Sequence, residues 1–188
     1  PPSEYKKDHP EWFDEKAGQL CFSQDEIVGI ITEKLIEEIK NNPDSIYFVV
    51  GQNDTDTPCG CEKCKKLYEQ YTPAGAMIRF INKIARRVRI WQDENCPERD
   101  IRIVTFAYYF GHRPPVKEHG NGFVPLDESV IPEKNVYILF AAIEYCYYHN
   151  LTDSACEWNK NFNFNFRGWQ ALAGERVMLW SYSANYAH

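Results

Sequence analysis

Ile46-Tyr47-Phe48-Val49-Val50-Gly51-Gln52-Asn53-Asp54, then Thr55-Asp56-Thr57-Pro58, then Cys59-Gly60-Cys61-Glu62-Lys63-Cys64, is the stretch on which the fold turns. Its first five residues are apolar or aromatic with no polar alternation, the pattern of a strand covered on both faces. A polar cluster follows at once. In parallel α/β folds chemistry gathers where such strands end, so Gln52, Asn53 and Asp54 are the first candidates for a site.

Before this stretch, Ser23 and Glu26 form a capping-box pattern ahead of a stripe of Ile27, Ile30, Ile31, Leu35 and Ile39, and Asn41-Asn42-Pro43 ends that helix just before the strand. Upstream, His9-Pro10-Glu11-Trp12-Phe13 reads as an irregular approach, with a turn at Gly18 and a short extended piece from Gln19 to Phe22. Downstream, Glu62 to Tyr71 reads as a short helix. Thr72-Pro73 then caps a longer one, whose buried face is Met77, Ile78, Ile81, Ile84, Ala85, Val88 and Trp91. Arg79, Lys83, Arg86, Arg87 and Arg89 read as its solvated side.

Further strands are expected at Ile101–Tyr109, Val136–Ile143 and Arg176–Tyr182. The stretch between the first two of these is punctuated by Gly111, Pro114, Pro115, Gly120, Gly122, Pro125 and Pro132, which predicts a long functional loop without regular structure. Asn161 to Phe166 alternates as a strand would, but Trp158, Phe162, Phe166, Trp169 and Leu172 or Ala173 share one helical face, and Gly174 suits a helix end. Helix is preferred there. Strands alternating with helices predict an α/β fold with a parallel sheet, and aromatic or acidic clusters follow each strand.

Of 188 residues, 44% are hydrophobic and 15% aromatic, enough for one domain with a sizeable core rather than a disordered chain. A net charge of -6 gives no basic footprint for nucleic acid, and no apolar run approaches the ~20 residues of a membrane span. Neither partner is expected.

Asp54 and Glu144 sit just after two different strands, and glycoside cleavage commonly uses two carboxyls flanking the bond. Tyr108, Tyr109, His149, Trp180 and Tyr182 offer platforms for the apolar faces of sugars, and Asn53 and Asn185 offer hydrogen bonds. Each has a plainer reading: Asp54 as a loop or cap aspartate, Glu144 as the partner of an arginine, the aromatics as core filling, His149 as a hydrogen-bonded core histidine. Cys59, Cys61 and Cys64 supply three thiolates, and tetrahedral zinc needs four ligands, so Cys21 or a histidine would have to complete the set. A structural zinc, a disulfide within the loop and free thiols stay open as alternatives. No cofactor is required for the hydrolytic reading.

Leu20-Cys-Phe-Ser-Gln-Asp-Glu-Ile27, the helix behind it, Tyr47-Phe-Val-Val-Gly-Gln-Asn-Asp54 and the cysteine loop resemble the central barrel segment of family 20 glycoside hydrolases, the β-hexosaminidases. From His-Pro-Glu-Trp-Phe to Trp180-Ser-Tyr-Ser-Ala-Asn-Tyr186, the whole chain resembles more closely a bacterial glycoside-hydrolase-like family of unknown function, domain of unknown function 4838, distantly similar to those enzymes and to α-glucuronidases. That resemblance implies the middle-to-late part of a (β/α)8 TIM barrel, incomplete at both ends. Its partners would be a carbohydrate substrate and the remaining barrel segments of the parent chain, in a bacterial secreted, periplasmic or cell-surface setting. The relatives' Gly-Gly-Asp-Glu run reads Gly51-Gln52-Asn53-Asp54 in this chain. Asn53 therefore replaces the polarising aspartate and Asp54 the acid/base glutamate. A neutral amide orients a substrate group but cannot offset its developing positive charge. The functional expectations are a glycoside hydrolase acting on complex glycans or polysaccharides, a carbohydrate-binding barrel without chemistry, or a structural domain stapled by zinc.

Overall fold

The computed structural model describes residues 2–14, 18–143, 145–151, 153 and 155–181. Four parallel strands, β1 (Tyr47–Val49), β2 (Arg102–Ala107), β5 (Val136–Ala142) and β6 (Val177–Ser181), form a sheet in the order β1-β2-β5-β6. A separate antiparallel hairpin joins β3 (Val116–His119) to β4 (Gly122–Pro125). Ahead of the sheet come the short α1 (Pro2–Tyr5) and α2 (Asp25–Asn41), while α3 (Glu62–Asn95) links β1 to β2 and α4 (Glu157–Ala173) links β5 to β6.

Strand order advances in one direction along the sheet, and crossovers between parallel strands are right-handed, so successive connections fall on the same face. That face is the core. Phe48, Ile103, Ile138 and Phe140 are at most 2% exposed and pack in one cluster with Met77, Ile78, Ile81, Ile84 and Val88 of α3 and Phe162 and Trp169 of α4. Each such side chain withdrawn from water contributes about 1.5–3 kcal/mol before entropy is counted. Tyr47, Val49 and Trp180 lie on the other face and are about half exposed. The reading of β1 as covered on both faces is therefore corrected: only Phe48 of its three residues is buried. An apolar run records the preference of its residues for a strand, while coverage depends on what the rest of the fold lays over it.

Thr72 divides α3 as the sequence predicts. Its φ of 66° and ψ of 163° are non-helical, its Oγ accepts from the Gly75 amide at 3.3 Å, and Pro73, which has no amide hydrogen to satisfy, opens the second segment. α4 is helical where the Asn/Phe alternation also allowed a strand, and Gly174 ends it at φ 59°. Trp158, placed on the buried face by its spacing, is instead 63% exposed. Ser23 does not cap α2. The helix begins after Gln24 without a side-chain cap, and the Ser23 hydroxyl sits 3.0 Å from the Cys21 sulfur.

The long loop before β5 is also corrected. Gly120 (φ 58°) supplies the positive dihedral of a two-residue turn, which closes β3 on β4, and Phe123 of that hairpin meets Phe164 of α4 edge-on at 5.0 Å. The basic side of α3 holds down the segment between this hairpin and β5. Arg86 and Arg89 bind the two carboxylate oxygens of Glu133 at 2.6 and 2.9 Å, and Asn82 donates to the Ile131 carbonyl at 2.8 Å. These arginines are not merely solvated.

Candidate functional site

At the C-terminal edge of the sheet, residues of β2, β5 and β6 and of the segment that follows β1 converge on one recess of about 260 Å³, lined by Gln52, Asp54, Phe106, Tyr108, Ala141 and Trp180. Parallel strands deliver their ends to a common rim, so three site candidates far apart in sequence, Asp54, Tyr108 and Trp180, meet there. Gly51 makes this approach feasible: a Cβ at that position would lie 2.6 Å from the Phe106 ring. Gln52 donates to the Tyr108 carbonyl, which ties the end of β1 to the end of β2. Tyr109 takes a φ of 48°, a left-handed conformation that a bulky residue rarely adopts, and its ring lies 3.9 Å from that of Tyr108.

Asn53 points elsewhere. Its side-chain amide donates to the Gly18 carbonyl, and buried Gln19 brackets its backbone, donating to the Asn53 carbonyl at 2.9 Å and accepting from its amide at 3.3 Å. A carboxylate at position 53 would repel the Gly18 carbonyl. Nothing in the local sequence marks Gln19 for this role, because its partner lies 34 positions away. Phe106 carries no local mark of a site either, although strand alternation puts it on the same face as Arg102 and Val104. Glu144, Tyr182 and Asn185 lie outside the described residues.

A second constellation forms where the N-terminal approach meets the start of α3. The sulfurs of Cys21, Cys59, Cys61 and Cys64 all lie within 4.8 Å of one another. Cys21 reaches the loop because its backbone is tied to Trp12 (amide to carbonyl, 2.8 Å) beside the Phe13–Leu20 bridge, while the Gly60 amide donates to Asp14 at 2.9 Å. Cys61 is the N-cap of α3, and its sulfur accepts from the Cys64 amide at 3.4 Å. Cys21 lies 3.6 Å from both Cys61 and Cys64. Zinc–sulfur bonds of about 2.3 Å in a tetrahedron set edges of about 3.8 Å, so the donor set and its spacing fit such an ion. Hydrogen bonds with Cys21 and Cys59 hold the Cys64 thiol far below its ordinary value, while hydrogen bonds with Cys21 and Cys64, together with burial, push Cys59 up. Of the sequence's two options for a fourth member, cysteine or histidine, the structure brings in Cys21.

His149 stands apart from the recess lining. It is exposed, in the loop after β5, with Nδ1 3.1 Å from the Cys146 sulfur. That contact is the main reason the Cys146 thiol is lowered to about 7 and the His149 imidazole is raised.

The family model described as domain of unknown function (DUF4838) matches residues 1–188. The chain belongs to this family. No curated protein and no solved structure was found to match it. The DUF4838 chain thus combines a rim recess with a compact thiol cluster.

Proposed function

We propose that this DUF4838 chain binds a complex glycan or polysaccharide in the rim recess and hydrolyses a glycosidic bond there. Asp54 acts as proton donor and Glu144 as the second carboxylate. The observation that carries this reading is the meeting of Asp54, Tyr108 and Trp180, from three strand ends, around one recess. Indole and phenol rings pack on sugar C–H faces, and a carboxyl beside them can reach the glycosidic oxygen. The hydrogen bond from Asn53 to Gly18 supports a carboxylate pair other than the adjacent one of β-hexosaminidases, since position 53 is engaged as a donor. Strand order advancing one way and the half-exposed Tyr47, Val49 and Trp180 support placing the sheet within a (β/α)8 barrel, with further segments of the parent chain over that face.

The test is a panel of aryl glycosides and oligosaccharides. Turnover that disappears in both Asp54→Asn and Glu144→Gln is the expected result. Binding that survives both changes without turnover in the unaltered chain would make this a carbohydrate-binding module, and no binding at all would remove the saccharide reading.

A second reading concerns the cysteines and is favoured by the four converging sulfurs. On it, zinc closes the set Cys21, Cys59, Cys61 and Cys64 as a structural staple between the N-terminal approach and α3. All four ligands come from the protein, so no position is left for catalysis. Elemental analysis finding zinc that Cys64→Ser removes, with the unfolding midpoint lowered by a chelator, is the expected outcome. A metal-free protein of unchanged stability would discard it.

A further inference from the structure

Between β5 and α4, Cys146, His149 and Cys156 bring two sulfurs and an imidazole nitrogen within 4.8 Å of one another. They converge because the loop is folded back onto the first turn of α4 by Asn159. That side chain is 0% exposed and hydrogen-bonds the loop three times. Its Oδ1 accepts from the Cys146 amide at 2.8 Å, and its Nδ2 donates to the carbonyls of Asn150 at 2.9 Å and His149 at 3.3 Å. Cys156 is placed by its position as N-cap of α4, with its own amide 3.3 Å from the Asp153 carbonyl. Tyr145 packs on Phe162, ring centroids 5.4 Å apart, and so roots the loop in the core.

We propose that Cys146, His149 and Cys156 form a second zinc site, with three protein ligands and a fourth position occupied by water. Two thiolates and an imidazole suit zinc rather than calcium or magnesium, which take oxygen ligands. A disulfide between Cys146 and Cys156 would use the sulfurs but leave the convergence of His149 without a purpose. The two clusters differ in closure: three of the four sulfurs in the first are buried, whereas Cys146 and Cys156 are half-buried and His149 is exposed. Four protein ligands close a site, and three leave an exchangeable position. Asn159 holds in place the backbone that carries Cys146 and His149. The ion would clamp the loop that leaves the same rim as the recess and carries Glu144 two positions before Cys146. The site itself does not depend on the saccharide reading.

The experiment measures zinc per chain on the 188-residue chain, purified under reductant without chelator, beside His149→Ala and the double change Cys146→Ser with Cys156→Ser. The expected result is one zinc fewer in each variant than in the unaltered chain, whatever the four-cysteine cluster holds. In the unaltered protein, Cys146 and Cys156 should resist iodoacetamide until a chelator strips the metal, a readout that needs no variant to fold. A zinc content unchanged by His149→Ala, alkylation indifferent to chelation, or a Cys146–Cys156 disulfide in the zinc-replete protein would overturn the proposal.

Discussion

The two faces of the parallel sheet are built from the same kinds of residue and face opposite fates. On one, Phe48, Ile103, Ile138 and Phe140 disappear beneath α3 and α4; on the other, Tyr47, Val49 and Trp180 remain about half exposed. Hydrophobicity alone does not separate them. The covered face holds the chain together, while the open face and its rim place aromatic rings and a carboxyl where a ligand can reach them.

That division can be broken most forcefully at Phe140, 0% exposed and ringed by Phe162, Phe166 and His112. Phe140→Ala should destabilise by about 3–5 kcal/mol, read from denaturant unfolding. A loss below about 1 kcal/mol would mean that the covered face is not the core. Next in size is Gly168 on α4, where a Cβ would lie 2.5 Å from Pro114. Gly168→Ala should overpack the contact between α4 and the segment ahead of β3, costing about 1–3 kcal/mol by the same measurement.

Glu133 ties the covered side of the fold to pH. Burial opposes its ionisation, but Arg86 and then Arg89 outweigh that and hold its carboxyl below the ordinary value of 4.5. Since the folded value is depressed, its contribution is complete above pH 4.5 and is lost as pH falls through the lowered value. Glu133→Gln should therefore cost about 1 kcal/mol near neutrality, discounted for partial exposure, and the gap to the unaltered chain should close in acid. A gap independent of pH would assign the loss to packing.

The smallest stability effect is expected on the open face. Trp180→Ala should shift unfolding by no more than about 0.5 kcal/mol, as surface changes do, while oligosaccharide binding measured by calorimetry falls at least tenfold. Equal losses in stability and binding would show that Trp180 belongs to the core and that the faces do not differ as described.

Much of the architecture could be read locally. Helical spacing outvoted the Asn/Phe alternation in α4 because Phe162, Trp169 and Leu172 recur on one side of a 3.6-residue period and all three are buried. Thr72-Pro73 announced the break in α3 because proline lacks the amide that a helix interior requires. The β3–β4 hairpin is not legible in this way. Its strands have four residues each, and the Gly120-Asn121 turn that could have revealed it is submerged among other prolines and glycines. Ser23 satisfied a capping rule on paper, but the start of α2 was set by where Cys21 and Phe22 had to be buried.

By itself the sequence determined the identity of most elements: the four strand-forming runs of the parallel sheet, the helix before the first and the helices that join β1 to β2 and β5 to β6, and the residues with chemistry at the strand ends. Those properties depend on neighbours along the chain, through propensity, period and capping. Only the tertiary structure decided that Cys21 completes the thiol set, that Asn53 is spoken for by Gly18, that Trp180 meets Asp54, and that Asn159 gathers Cys146, His149 and Cys156. Convergence of that kind rests on distances between groups remote in sequence, and these are set by how the sheet and helices pack.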